Sequence, residues 1–118
     1  MFRLAFPIAA LTALPALADT SAFEGLYYPE ALPGWSCRAD ALGSDGGAVG
    51  VRDGKLEGVE NSCELLDPTP ADPPGAVAFK LRCMAEGEIY EDAVTLQRDG
   101  TRLLLRRDDS TVVWEQCP

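Results

Sequence analysis

Three dipeptides, Glu86-Gly87, Asp99-Gly100 and Asp108-Asp109, separate runs of alternating apolar residues in the C-terminal part of the chain. Gly and Asp tolerate the positive φ that a two-residue hairpin turn requires, and alternation is the period of a strand with one buried face. Treating each dipeptide as such a turn fixes a register. Leu81 falls opposite Asp92, Phe79 opposite Val94 and Val77 opposite Leu96. Leu96 then faces Leu103, Val94 faces Leu105, Leu105 faces Val112 and Leu103 faces Trp114. All these residues share one face. The other face takes Lys80, Arg82, Glu91, Arg102 and Glu115, with Arg82 opposite Glu91 and Arg102 opposite Glu115, both favourable pairs. A slip of one residue would turn each apolar set outward, so the agreement of three turns predicts a four-strand antiparallel meander.

The first half is less regular. Residues 48–52, the turn Asp53-Gly54 and residues 55–59 read as a hairpin with Val51 opposite Leu56, and a strand holding Cys63, Leu65 and Leu66 follows. Residues 67–75 contain four prolines and read as a loop, as do the Gly- and Asp-rich residues 42–47. No segment has a helical period. The expected fold is all-β: a small antiparallel meander closing into a barrel or sandwich of six to eight strands.

Residues 1–18 carry an address. A positive start at Arg3, an apolar run over residues 4–17 and Ala16-Leu17-Ala18 read as a secretory signal peptide cleaved before Asp19. The run is too short, and too interrupted by Pro7 and Pro15, for a membrane span. The residue after the cut is not Cys, so no lipid anchor is expected. Residues 19–118 then form one disulfide-stapled β domain, periplasmic or secreted in a bacterium.

In an exported chain Cys37, Cys63, Cys83 and Cys117 imply two disulfides. Cys83 and Cys117 end strands at opposite edges of the meander. Cys63 and Cys83 flank the Pro-rich segment on strands able to be neighbours, and Cys37 approaches Cys117 if the sheet closes. These placements favour 63–83 with 37–117; the alternative is 37–63 with 83–117.

The composition removes several chemistries. There is no histidine and no C-x-x-C, so zinc, thioredoxin-type, Ser-His and Cys-His readings fail. Arg3 is the one charged residue in 1–18, so residues 19–118 carry nine Lys and Arg against nineteen acids, a net charge of −10. That is the reverse of a nucleic-acid footprint; the charge reads either as a solvated surface or as a field that steers cationic partners. Glu86, Glu88, Glu91 and Asp92 could supply a carboxylate pair, which would need a substrate cleft. Asp40, Ser44 and Asp45 could approach calcium but lack the D-x-D-x-D-G spacing. No metal and no cofactor is expected.

The candidate contacts are aromatic, apolar and paired groups. Asp92 lies on the core face beside Leu81 and opposite Arg107. It reads either as an ion pair at the rim of the core or as a ligand contact at a barrel mouth shared with Tyr90. Leu104 and Val113 face each other on the charged side next to Thr95, and Phe23, Leu26, Tyr27, Tyr28 and Trp35 crowd the N-terminus. Either the N-terminal segment folds over the sheet and buries both groups, or an apolar patch stays open. A Tyr- and Trp-rich surface beside acids suits a basic protein partner. The candidate contact residues are therefore Tyr27, Tyr28, Trp35, Tyr90, Asp92, Leu104, Arg107 and Val113.

Residues 35–118 also carry a resemblance. The segments Glu60-Asn61-Ser62-Cys63-Glu64-Leu65, Asp67-Pro68, Gly75-Ala76, Leu81-x-Cys83, Glu86-Gly87-Glu88 and the Cys117-Pro118 ending resemble an uncharacterised family of small exported four-cysteine bacterial proteins. The resemblance implies a shared fold and compartment, and no activity or catalytic residue. Trp35-Ser36-Cys37 near the start and Cys117 at the end are also similar in layout to the periplasmic inhibitors of C-type lysozyme. Those inhibitors are small disulfide-bonded antiparallel barrels; their Ser-Gly-x-x-Tyr loop has no counterpart here. The expected function is a non-enzymatic periplasmic binding module for a cationic protein or a small ligand, inhibition of a basic hydrolase being one version. A structural envelope protein without a dissociable ligand is the alternative, and a carboxylate enzyme ranks last.

Overall fold

Eight strands follow one another in chain order, each pairing antiparallel with the one before, in a computed structural model that describes residues 20–118. The signal-peptide reading of 1–18 and the cleavage before Asp19 lie outside the described residues. The strands are β1 (Gly25–Pro29), β2 (Val49–Arg52), β3 (Lys55–Gly58), β4 (Asn61–Pro70), β5 (Val77–Ala85), β6 (Glu88–Asp99), β7 (Arg102–Arg107) and β8 (Ser110–Gln116). Tyr27 of β1 pairs with Gln116 of β8, which closes the sheet into a barrel and leaves the first and last strands no free edge toward each other.

Turn chemistry explains the hairpins. Asp53-Gly54 and Glu86-Gly87 hold positive φ at both positions (55° and 74°, 51° and 81°), the mirror-image geometry whose twist matches the flanking strands. The β5–β6 register is the expected one, with Leu81 opposite Asp92 and Phe79 opposite Val94. So is that of β7–β8, with Leu103 opposite Trp114 and Leu104 opposite Val113. Arg82 stands opposite Glu91 and Arg102 opposite Glu115. The Arg102 guanidinium also reaches Glu30, just past the end of β1 on the far side of β8, 3.3 Å away.

The β6–β7 hairpin departs from expectation. Asp99 pairs with Arg102, so the turn is Gly100-Thr101, and Leu96 faces Leu105 while Arg98 faces Leu103. A glycine with φ of 64° at the first turn position suits this placement. The partners move by two residues, an even step, so every side chain keeps its face.

The proline reading is also corrected. Pro68 and Pro70 lie within β4, and the true loop spans 71–76. β3 ends its pairing with β4 at Lys55–Glu64, so the lower part of β4 has a strand on one side only and tolerates residues without an N–H. An irregularity between Leu66 and Thr69, with Asp67 at φ 53°, absorbs the mismatch.

Inside the barrel, Val49, Val51, Leu56, Leu65, Phe79, Leu81, Val94, Leu96, Leu103, Leu105 and Trp114 form one buried cluster. The N-terminal segment enters this core rather than folding over the outer sheet. Phe23 packs edge-on against Phe79 with ring centroids 6.2 Å apart, and Tyr27 lies 6.1 Å from the Trp114 ring. Close approach of β1 and β2 requires Gly50: a Cβ there would sit 2.3 Å from the Gly25 carbonyl oxygen.

Both favoured disulfides form. Cys63 and Cys83 are direct partners on β4 and β5, and Cys37 joins Cys117 beside the closure of β1 on β8. No free cysteine remains among the described residues, the mark of an oxidising, extracellular-type environment. Among the described residues no helix is long and apolar enough to cross a membrane.

Candidate functional site

The two ends of the barrel differ. At the end where β6 joins β7, inward-pointing Arg98 donates to the Tyr27 hydroxyl (2.8 Å) and to Gln116 Oε1 (3.0 Å), and Tyr27 donates to the Phe23 carbonyl (2.7 Å). Burial raises the Tyr27 pKa, with the Arg98 charge and hydrogen bond opposing the rise. Phe23 and this polar cap seal the end. Tyr27 is 0% exposed, so it serves the core and is not a partner contact.

The opposite end is the mouth. Asn61, Tyr90, Asp92 and Arg107 stand around it: Asn61 Nδ2 donates to the Tyr90 hydroxyl at 2.6 Å, and Arg107 Nη1 lies 3.4 Å from Asp92 Oδ2. The Asp92–Arg107 pair is therefore formed, although the corrected β6–β7 ladder begins at Thr95–Arg106 and does not place them directly opposite. Below them a cavity of about 190 Å³ is lined by Leu56, Val59, Cys63, Leu105, Arg107 and Trp114. The buried cluster occupies the interior beneath it.

The outer surface carries more. Alternation places Met84 and Ile89 outward on the β5–β6 hairpin, directly opposite one another, 57% and 59% exposed. Both sit at the tip beside exposed Glu86, Glu88 and Glu91. Two rows cross the strands here: Glu57, Ser62, Met84 and Ile89 in one, and the alternating charges Lys55, Glu64, Arg82 and Glu91 in the next. Between them runs a groove of about 440 Å³. These two apolar residues were missed by the sequence reading. Their signal was available, since they share parity with outward Arg82 and Glu91.

The remaining candidates are dispersed. Tyr28, half-buried, lines a larger open groove of about 720 Å³ with Leu32, Pro33, Cys37 and Pro118. Trp35 lines the same groove and packs against the core cluster. Leu104 and Val113 are paired and half-buried on the outer face of β7 and β8. The sequence-proposed contacts thus fall in four places: Tyr27 in the core, and the others at the mouth, in the Trp35 groove and on the β7–β8 face. Asp40 is engaged through both oxygens by Arg38 (3.0 and 2.7 Å), which lowers its pKa. Glu86, Glu88 and Glu91 are exposed around the hairpin tip, and none of the three lines the groove beside Met84 and Ile89. No family model, no curated protein and no solved structure matches the chain.

Proposed function

We propose that this protein is a non-enzymatic binding module of a bacterial periplasm or secreted milieu that engages a cationic protein through its β5–β6 hairpin. Inhibition of a basic hydrolase is one specific form of that activity. The observation that carries the reading is the exposed Met84–Ile89 pair at the centre of an acidic tip. Apolar residues clustered on an otherwise charged surface are the usual anchor of an interface, and the surrounding acids select the charge of the partner. The packed interior argues against a large ligand, and the absence of histidine together with bridged cysteines removes Ser-His and Cys-His nucleophiles. The signal-like residues 1–18 and the two disulfides support the compartment.

The test is capture from a periplasmic extract by the immobilised protein and by its Met84→Ser/Ile89→Ser variant. Retention of a basic protein by the wild type, lost on the variant, is the expected result. Equal retention by both, or none by either, would overturn the reading; the second outcome favours a structural envelope role.

A further inference from the structure

The β5–β6 hairpin also presents an unpaired strand edge. The β6–β7 ladder begins at Thr95–Arg106, so among the described residues no strand lies beside residues 88–93 on the side away from β5. The direction of the backbone groups follows from the turn. A two-residue turn closes on the hydrogen-bonded pair Ala85–Glu88, and alternation makes Cys83–Tyr90 and Leu81–Asp92 the next such pairs. The N–H and C=O groups of Ile89, Glu91 and Ala93 therefore point outward along the edge. Ala93 confirms this: its N–H donates to Asp92 Oδ1 at 2.8 Å instead of to β5. Ile89 and Glu91 are left as two open rungs in the middle of the apolar and acidic tip.

We propose that this edge takes up an extended, basic segment of the partner protein as an added strand. The inference rests on the binding-module reading above and assigns its mode. An open edge supplies main-chain hydrogen bonds to any extended peptide, and flanking side chains choose which one. Here Ile89 offers an apolar contact, and Glu91, two residues on and on the same face, offers a charge. A segment alternating apolar and cationic residues on one face matches that order. A second copy of this chain does not, because edge-to-edge pairing would set Glu88, Glu91 and Asp92 against their own kind in a protein of net charge −9. The same acids that deter self-association thus admit a basic strand.

The test uses the protein with an acetylated, amidated peptide of sequence Val-Thr-Lys-Thr-Val-Thr-Lys, one face of which alternates valine and lysine, and the same peptide N-methylated at alternate positions. Binding by the first peptide should slow amide exchange at Ile89 and Glu91, and N-methylation should weaken it about tenfold or more. Glu91→Pro, which removes an outward N–H without touching the β5 ladder, should weaken binding more than Glu91→Gln, which keeps it. Failure of the unmethylated peptide to bind, equal affinity of the two peptides, unchanged exchange at Ile89 and Glu91, or a dimer formed through β6 would each overturn the proposal. If extract capture still depends on Met84 and Ile89 in any of those cases, the edge mode falls while the binding-module reading stands.

Discussion

Asp92 bridges two elements that share no ladder at its height: one carboxylate oxygen accepts the Ala93 N–H at 2.8 Å, and the other lies 3.4 Å from Arg107 Nη1. The side chain thereby ties the standing β5–β6 hairpin to the shorter β7–β8 hairpin across the mouth. Both partners are 41% exposed, so solvent screens the pair and its contribution is at most about 1 kcal/mol. Arg107→Ala should therefore leave the urea midpoint nearly unchanged. Asp92→Ala, which also uncaps Ala93, should cost about 1 kcal/mol, read as a midpoint shift at constant m-value. A loss above about 3 kcal/mol would mean that the rim is a structural keystone.

The two disulfides should break in a fixed order. Cys63 and Cys83 are each 1% exposed inside the barrel, whereas Cys37 and Cys117 are half-buried at its outer closure. Limited reduction under native conditions, followed by alkylation and peptide mapping, should label Cys37 and Cys117 first. By the chain-entropy relation, removing the bridges costs about 4.5 kcal/mol for the separation of 80 and about 3 kcal/mol for that of 20. Early labelling of Cys63 would contradict the burial.

Alkaline stability should depend on Tyr27. Burial lifts its hydroxyl above the ordinary value of 10.0, with Arg98 opposing. A group whose folded pKa exceeds its unfolded one stabilises fully below the unfolded value and loses that contribution as pH rises through the folded one. Thermal melts at pH values rising above the ordinary tyrosine value of 10.0 should therefore show a decline that Tyr27→Phe reduces. An identical decline in the variant would place the alkaline sensitivity elsewhere.

Much of the barrel was legible because its turns are marked and its strands alternate. The paired registers of β5–β6 and β7–β8, the β2–β3 hairpin and both disulfides followed from local spacing and from closure. The β6–β7 turn did not, because Asp99-Gly100-Thr101 offers two overlapping two-residue turns of the same parity, and periodicity cannot separate them. Pro68 and Pro70 were misplaced because their tolerance depends on where β3 stops pairing. Tyr27 was misplaced because its burial depends on β1 lying between β2 and β8. The site was less legible than the fold. Asp92, Arg107 and Tyr90 do gather at one mouth, but Met84 and Ile89 stand out only once their exposure at the hairpin tip is seen.

The most direct test of the central claim is the affinity of the captured basic protein, measured at low and high salt for the wild type and for Met84→Ser/Ile89→Ser. Acidic steering with an apolar anchor predicts about tenfold weaker binding at high salt and a further loss of about tenfold or more in the variant. Binding that ignores both salt and this variant, yet disappears in Trp35→Ala, would move the interface to the groove beside Tyr28 and contradict the account.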